Sequence, residues 1–308
     1  MTVKVIVPTR DGVSGCHALG RWATIESMSP MDFDGKTVLI TGGGAGIGRA
    51  TAEAFGKAGA AVVVVERLEK LAVELRGSLN AFGVANDVVI ADVTDPQTAL
   101  DLAARIDSDH GGLDVLVNNV GDFLRLSKPF ESTTDEDIDR LYSVNLRHVF
   151  TVTRACIPLL RNRAPGTSIV SVTSIEAFRG MPHGVVYASF KAALTGFTRS
   201  LALELGHEGI RVNAVAPETT ESRQVPIGKI VPDAVKPSAP YWIPQGRFGV
   251  PEDHAGAIMF LASPLADWVN GTTLHVDGGA HAAGGWYRTP TGFTNMPIGG
   301  FTNMPSSS

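Results

Sequence analysis

The sequence predicts an α/β fold: a single open, doubly wound parallel sheet with helices on both faces. Short segments rich in valine and isoleucine alternate along the chain with longer amphipathic stretches. The short segments are apolar almost throughout, which is typical of strands buried on both faces of a parallel sheet. A glycine-rich turn joins the first of them to the first helical stretch, and this order is typical of doubly wound folds.

Six strands are predicted, with helices in the intervals between them. The strand segments are residues 36–40, 61–65, 88–91, 113–117, 168–172 and 211–215. A chain of 308 residues is long for one such domain and short for two, so we assign the domain to residues 31–279. Residues 1–30 are an N-terminal extension, and residues 280–308 are a Gly/Pro-rich tail in which a five-residue segment is repeated. Both an arm packed on a neighbouring subunit and a loose tail fit the composition of this segment.

The composition excludes several classes of protein. The net charge is −5, from 26 Lys and Arg against 31 Asp and Glu, and no long basic cluster offers a surface for nucleic acid. No apolar run is long enough to cross a membrane, and no signal-peptide pattern is present. Two distant cysteines and eight histidines without metal-ligand spacing argue against a disulfide framework and a metal site. We therefore expect a cytoplasmic protein without a metal.

One long irregular insertion interrupts the domain at residues 217–249. It holds several prolines and the aromatic pair Tyr241 and Trp242. A long loop inside a compact domain is usually functional or mobile. Its aromatic and apolar residues favour a lid over a substrate, and a surface excursion is the alternative.

A nucleotide-binding turn is indicated at residues 41–48, Thr-Gly-Gly-Gly-Ala-Gly-Ile-Gly. Glycines let the backbone approach a pyrophosphate, whose charge is met by the N–H groups that begin the helix. The acidic Glu66 ends the second predicted strand 18 positions after Gly48, where a carboxylate can accept hydrogen bonds from ribose hydroxyls. The residues assigned to the cofactor on these grounds are Thr41, Gly42, Gly46, Ile47, Gly48 and Glu66.

A second group of residues indicates acid–base chemistry. Tyr187 and Lys191 are four apart on a predicted helix and therefore share one face. A lysine ammonium group beside a tyrosine favours the phenolate, which lowers the pKa of the phenol and makes it usable near neutral pH. Ser174 ends the fifth predicted strand, where its hydroxyl can hold the substrate oxygen that Tyr187 protonates.

These motifs, in this order, resemble those of the short-chain dehydrogenase/reductase family. The resemblance extends over about residues 35–279 and continues in the segments 213–217, 246–253, 260–263 and 270–279. It implies a Rossmann-type fold, with Tyr187 as general acid–base and Ser174 on the substrate oxygen. It further implies that Lys191 lowers the pKa of Tyr187 and binds the nicotinamide ribose, and that Asn145 anchors a water in a proton relay.

The resemblance also implies further contacts to the cofactor. Asp92 is expected near the adenine, Asn118 near the adenosine ribose and Ser222 against the nicotinamide amide. The remaining residues in this implied set are Arg67, Val93, Gly121, Pro217 and Thr220. One departure stands out, because Glu218 occupies the position after Pro217 where the family usually has glycine.

We therefore expect an oxidoreductase that transfers a hydride between a nicotinamide cofactor and a secondary alcohol or ketone. Glu66 favours NAD, because the 2′-phosphate of NADP would meet its carboxylate, whereas the neighbouring Arg67 argues for NADP. A catalytically idle NAD-binding sensor or scaffold of the same fold is the alternative. An idle relative would be expected to lack Tyr187, Lys191 or Ser174, and all three are present.

Apolar residues of the insertion and of the segment before Tyr187 favour a hydrophobic, cyclic or steroid-like substrate. They are Phe178, Met181, Val185, Val225, Ile227, Ile230, Val231, Tyr241 and Trp242. A 3-ketoacyl thioester is the alternative substrate. The resemblance also implies a homo-oligomer, a tetramer, to whose contact face Leu194, Phe197 and Leu201 would contribute.

Overall fold

The computed structural model describes residues 31–230, 233, 236, 239–289 and 292–294. The extension at residues 1–30 and the second copy of the tail repeat lie outside the described residues. So do Val231, Pro232 and Pro237 of the insertion.

Seven parallel strands form one sheet in the order β3-β2-β1-β4-β5-β6-β7, which confirms the predicted fold class. The strand order reverses between β1 and β4, and in such sheets the reversal opens a crevice at the carboxyl ends of the strands. The sequence pattern does not predict β7, a short edge strand with partly exposed side chains. The strands are Thr37–Thr41 (β1), Ala61–Glu66 (β2), Asn86–Ile90 (β3), Val115–Asn118 (β4), Thr167–Val172 (β5), Ile210–Pro217 (β6) and Thr273–Val276 (β7).

Helices cover both faces of the sheet. The longer ones are Gly46–Lys57 (α1), Glu69–Ala81 (α2), Pro96–His110 (α3), Asp135–Tyr142 (α4), His148–Arg163 (α5) and Val185–Leu205 (α6). The later ones are Ile227–Ile230 (α7), Ala239–Trp242 (α8), Pro251–Ala262 (α9) and Ala280–Ala283 (α10). Within the described part of the chain, no helix combines the length and the apolar character that a membrane span requires.

Alternate residues of each strand pack against opposite helical layers, which explains the uninterrupted apolar segments. In β1, Val38 and Ile40 face a layer that contains residues of α1, α2 and α9. Leu39 faces the other layer, which contains residues of α3, α5 and α6. Because both faces are buried, a polar residue in the middle of a strand would lose its water on either side.

Two local features position side chains for the site. A π-helical turn, Ser143–Arg147, joins α4 to α5 and presents Asn145 at its centre. Helix α6 begins at Val185, so that Tyr187 lies in its first turn and Lys191 one turn later. The hydroxyl of Thr173 donates to the carbonyl of Lys191 at 2.7 Å and fixes α6 to the end of β5.

The described part of the tail is folded. After α10, the strands Tyr287–Thr289 (β8) and Gly292–Thr294 (β9) pair antiparallel as a hairpin beside α8. An arm that reaches a neighbouring subunit stays a prediction.

Candidate active site

A cleft of about 680 Å³ opens at the carboxyl edge of the sheet, where the strand order reverses. The loops after β1 to β6 form its walls, and most of the residues predicted for the site line it. They are Gly42, Gly46, Ile47, Glu66, Arg67, Asp92, Val93, Gly121, Ser174, Tyr187, Lys191, Pro217, Thr220 and Ser222.

The glycine turn provides a cradle for an anion at the start of α1. Gly42 and Gly46 adopt left-handed backbone conformations, with φ of 67° and 55°, that other residues rarely accept. At Gly44 a Cβ atom would lie 2.6 Å from Oε2 of Glu66. The N-cap residue of α1 is Ala45, and no side chain of the described residues caps this helix. Its first N–H groups therefore remain available to a phosphate, so the turn fits the pyrophosphate of a dinucleotide.

Glu66 is buried at the end of β2 and receives two backbone hydrogen bonds. Its Oε2 accepts from the N–H of Gly44 at 3.1 Å, and its Oε1 accepts from the N–H of Leu68 at 2.9 Å. Each carboxylate oxygen keeps a further lone pair for a ribose hydroxyl. Arg67 is exposed at the rim of the same part of the cleft.

Ser174, Tyr187 and Lys191 lie together at the other end of the cleft. Ser174 follows β5, and its hydroxyl oxygen accepts the N–H of Glu176 at 3.2 Å. Lys191 is buried, and its Nζ donates to the carbonyl of Val172 at 3.0 Å. The same Nζ lies 5.8 Å from the centre of the Tyr187 ring. The three functional groups therefore converge on one volume.

The pKa of Tyr187 differs from the sequence-based expectation. Loss of water around its hydroxyl raises this pKa to about 12, although the hydrogen bond with Ser174 acts in the opposite direction. Burial likewise lowers the pKa of Lys191 to about 8, while the negative charge of Asp122 opposes that shift. The expected lowering of the Tyr187 pKa by Lys191 is therefore not seen, because loss of water around the hydroxyl is the largest cause of the shift.

Three residues predicted to contact the cofactor stand behind the wall of the cleft instead. The Oγ1 of Thr41 accepts the N–H of Asn119 at 3.0 Å and so ties β1 to the end of β4. Gly48 packs so closely on the carbonyl of Gly42 that a Cβ atom would collide with it. Asn118 is buried, with its Nδ2 donating to the hydroxyl of Thr153 at 3.0 Å. These residues shape the cleft without lining it.

Asn145 also lies outside the cleft. Its Nδ2 donates to the carbonyls of Asp122 at 2.8 Å and Leu141 at 3.0 Å, and its Oδ1 accepts the N–H of Asp122 at 3.0 Å. Both amide hydrogens are thus taken by protein carbonyls. In this structure the side chain fixes the backbone of Asp122, and the water-anchoring role implied by the resemblance stays a prediction.

Several residues at the reacting end were not predicted from the sequence. Glu176 and Gln224 line the cleft, and so does Asp122. The sequence held a signal for one of them, because Asp122 directly follows the motif at residues 118–121. Glu218 is buried, and its Oε2 lies 2.8 Å from Nη2 of Arg179. The substitution of the family glycine therefore introduces an ion pair at the mouth of the site.

The insertion contributes less of the cleft wall than its length suggested. Among the described residues of the insertion, those that line the cleft fall within its first part, residues 217–225. Met181 and Val225 face the cleft as expected, whereas Phe178 packs against His275, with ring centres 4.5 Å apart. Trp242 lies against Phe248 instead, with ring centres 6.1 Å apart.

A buried histidine holds the base of this lining segment. The hydroxyl of Thr220 donates to the carbonyl of Glu218 at 2.7 Å, so its oxygen is left to accept the Nε2–H of His254, also at 2.7 Å. Burial lowers the pKa of His254 to about 4, which keeps the ring neutral at physiological pH. The backbone of Gly249 closes the arrangement by donating to the carbonyl of Thr219 at 3.0 Å.

Comparison with known proteins gives consistent matches over most of the chain. A family model described as enoyl-(acyl carrier protein) reductase matches residues 42–281. The chain is 36% identical over 253 residues to the 3-oxoacyl-(acyl-carrier-protein) reductase FabG of Thermotoga maritima, covering 81% of this chain and 99% of that protein. It is 35% identical over 264 residues to the hydroxynaphthalene reductase-like protein Arp2 of Metarhizium majus, covering 82% and 97% of the two chains.

Solved structures give the same picture. A 7α-hydroxysteroid dehydrogenase in complex with NADH and 7-oxo glycochenodeoxycholic acid is similar, with a TM-score of 0.76 and 34% identity over 81% of this chain and 96% of that one. A putative NAD(P)-dependent gluconate 5-dehydrogenase from Beutenbergia cavernae with bound NADP is also similar, with a TM-score of 0.75 and 32% identity over 82% and 100% of the two chains.

The buried Lys191 should make stability depend on pH in a defined direction. The folded protein holds the pKa of Lys191 at about 8, against an ordinary value of 10.5. Between these two pH values the unfolded chain binds the extra proton, so the free energy of unfolding of the wild type rises with pH. Lys191→Met lacks this rise. We compare the free energies of unfolding of Lys191→Met and the wild type at the same pH by chemical denaturation. The value for the variant minus that for the wild type should fall by about 1–3 kcal/mol from pH 7 to pH 10. A difference that stays constant or grows over this range would contradict the assignment.

Proposed function

The chain belongs to the short-chain dehydrogenase/reductase family and is an NAD(P)-dependent oxidoreductase; on this premise we propose that it interconverts a secondary alcohol and a ketone, with Tyr187 as general acid–base. One observation supports the proposal above the others. Ser174, Tyr187 and Lys191 meet in the same cleft that receives the uncapped start of α1.

The residues of the cleft fit a nicotinamide dinucleotide, which supplies or accepts the hydride when it is bound. The glycine turn and the first N–H groups of α1 would hold the pyrophosphate, and Glu66 the adenosine ribose. Asp92 and Val93 would flank the adenine. The residues that would hold the nicotinamide end are Gly121, Lys191, Pro217, Thr220 and Ser222.

Tyr187 moves the proton in the proposed reaction. In reduction, its O–H donates the proton to the carbonyl oxygen as the carbon receives the hydride. In oxidation, the phenolate takes the proton of the alcohol as the hydride leaves the same carbon. Ser174 orients the substrate oxygen by a hydrogen bond, and the ammonium group of Lys191 stabilises the phenolate. With a phenol pKa of about 12, Tyr187 is protonated at neutral pH and can act as the acid in reduction.

We propose a hydrophobic, cyclic or steroid-like substrate, as the sequence suggested. Phe123, Leu124, Met181 and Val225 line the reacting end and support an apolar ring system. The similar 7α-hydroxysteroid dehydrogenase binds such a molecule. A 3-ketoacyl thioester is the second candidate, favoured by the similarity to FabG over nearly the whole length of that protein.

We propose the cytoplasm as the compartment. The only cysteine within the described residues is Cys156, which has a free, buried thiol whose pKa burial raises to about 12. A thiol of this kind is inert and suits a reducing environment.

We also propose a homotetramer, with one change to its contact face. Leu194 and Leu201 are buried inside the subunit and are not available to a partner. Leu203 is 86% exposed on the same helix and Phe150 is 37% exposed on α5, so these side chains offer the apolar contact instead. We expect sedimentation at micromolar concentration to give four times the mass of the chain. A stable monomer would contradict the proposal.

Tyr187→Phe should abolish turnover without weakening cofactor binding. The ring remains in place while the transferable proton is lost, so the defect falls on kcat, by about 10²–10⁴-fold. Steady-state kinetics and NADH binding by fluorescence measure the two effects separately. Tyr142→Phe is the matched control, because Tyr142 packs on Phe190 away from the cleft and its hydroxyl is not needed. Retention of a tenth of the wild-type kcat would overturn the role of Tyr187.

The proposed cofactor is NAD, and Glu66→Ser should shift the preference toward NADP. Loss of the carboxylate removes its hydrogen bonds to the ribose and its repulsion of the 2′-phosphate. We expect the ratio of kcat/KM for NAD to that for NADP to fall about 10–100-fold. Glu66→Gln tests the charge alone while preserving a side-chain acceptor, and Glu69→Ser is the control on the exposed start of α2. An unchanged ratio in both Glu66 variants, or a wild type that prefers NADP, would refute the proposal.

A further inference from the structure

The carboxylate of Asp122 joins the two loops that enclose the reacting end of the cleft. We define the β4 loop as residues 119–129 and the β6 loop as residues 218–226. The Oδ1 of Asp122 accepts the N–H of Leu124 within the β4 loop at 2.7 Å. The same oxygen accepts a second hydrogen bond, from Nε2 of Gln224 in the β6 loop, at 3.1 Å. One carboxylate oxygen therefore bonds to both walls.

On the side of the β4 loop, this carboxylate supports an unfavourable backbone. Leu124 and Arg125 both have φ of 53°, in the left-handed region that non-glycine residues rarely adopt. The bond from the N–H of Leu124 to the side chain two residues earlier closes a turn of the kind that aspartate favours. Strained residues of this sort cluster at functional sites, where the surroundings hold them. Here the N–H of Leu126 donates to the carbonyl of Phe123 at 3.0 Å and closes the turn, while the carboxylate of Asp122 holds the N–H of Leu124.

The position of Asp122 is itself fixed by the catalytic region. Asn145 binds both the N–H and the carbonyl of Asp122. The preceding residue, Gly121, approaches Lys191 so closely that a Cβ atom there would lie 2.5 Å from its Nζ. The position of Asp122 is thus fixed relative to Lys191, and so is the position of any group that binds its carboxylate.

The β6 loop has a fixed base and one bond across the cleft. Its base is held by Thr220 and His254, and a small turn follows in which Ser222 and Val225 bind each other. Ser222 already lies near the glycine turn, since a Cβ atom on Gly46 would be 3.2 Å from the Cβ of Ser222. Gln224 then reaches the opposite wall, 102 positions away in sequence, through its bond to Asp122.

We propose that Asp122 and Gln224 are positioning residues that hold the β6 loop closed over the reacting end of the cleft. The loop carries residues assigned to the nicotinamide end, so its closure sets the place where the cofactor and Tyr187 meet. The catalytic part of this inference rests on the proposed function. The closure itself depends on no bound cofactor or substrate, so it can be measured on the free protein.

Hydrogen–deuterium exchange on the cofactor-free protein tests the closure. In Gln224→Ala we expect the amides of Glu221, Ser222 and Val225 to exchange about ten- to hundredfold faster than in the wild type, because a bond to a charged acceptor is lost. Gln97→Ala is the matched control. Gln97 donates to Asp101 at 2.8 Å on the exposed face of α3, so its loss removes the same kind of bond far from the cleft. Unchanged exchange in Gln224→Ala would overturn the proposal.

The Asp122 variants separate the bond from the charge. Asp122→Asn keeps an oxygen that can accept both bonds, so we expect near-wild-type exchange. Asp122→Ala removes the acceptor, so exchange in the β6 loop should rise at least as much as in Gln224→Ala, and the N–H of Leu124 in the β4 loop also loses its partner. Because Gln224→Ala and Asp122→Ala both break the bond between these two side chains, the amides of the β6 loop should exchange no faster in the double variant than in Asp122→Ala alone. Fully additive effects, or an Asp122→Asn as open as Asp122→Ala, would overturn the shared bond.

NADH release by stopped-flow fluorescence links the loop to the reaction. We expect dissociation to be about tenfold faster in Gln224→Ala and unchanged in Gln97→Ala. A rise in KM for the alcohol together with this faster release, at a kcat within a few-fold of the wild type, supports positioning. Equal release rates in Gln224→Ala and the wild type overturn the part of the proposal that concerns the cofactor. A wild type that binds neither NADH nor NADPH refutes the proposed function, while the exchange result still decides the closure.

Discussion

The attachment of β1 to β4 is the interaction on which the site depends. The side-chain amide of Asn119 donates to the carbonyls of Thr41 and Gly42, both at 3.0 Å, and the hydroxyl of Thr41 accepts the N–H of Asn119. These bonds join the glycine turn to the β4 loop at the point where the strand order reverses. The cradle for the pyrophosphate and the environment of Lys191 are thereby built on one rigid piece. Thr41 is buried, and Gly42 and Asn119 are half-buried, so these bonds are partly shielded from water.

Desolvation is the second organising force at the site. Lys191 is buried and Tyr187 is half-buried in the cleft wall. Loss of water shifts the pKa of each group in the direction that favours its neutral form, to about 12 for Tyr187 and about 8 for Lys191. Such a site costs stability in the empty protein, because a buried ammonium group gains little from the single carbonyl of Val172. The same dryness strengthens every charge interaction once a substrate oxygen is present. At these two residues, the loss of water therefore lowers the stability of the protein and raises the reactivity of the site.

The sequence predicted much of the fold and part of the site, for reasons that particular residues make clear. The central strands are visible because burial on both faces demands continuous apolar residues, as in Val62 to Val65. Strand β7 escaped prediction because an edge strand with partly exposed side chains needs no such run. The glycine turn, Tyr187 and Lys191 were visible because their chemistry depends on local spacing. Asp122 and Gln224 were not assigned, because their contact joins positions 102 residues apart and only the fold brings them together.

Glu218 has a consequence for how this protein can change. Its carboxylate accepts the N–H of Thr219 at 2.8 Å and also binds Arg179, which in turn binds Glu176. These ion pairs thus link the segment after β6 to the segment after β5, next to Ser174. In many engineering schemes a loop is transplanted between relatives as a self-contained cassette. Here a donor loop with glycine at position 218 would also remove one of the two carboxylates that bind Arg179, and Glu176 would remain as its partner. A change of substrate range through the loop after β6 would therefore also alter the ion pair beside Ser174, so we expect substitutions at positions 179 and 218 to have coupled effects.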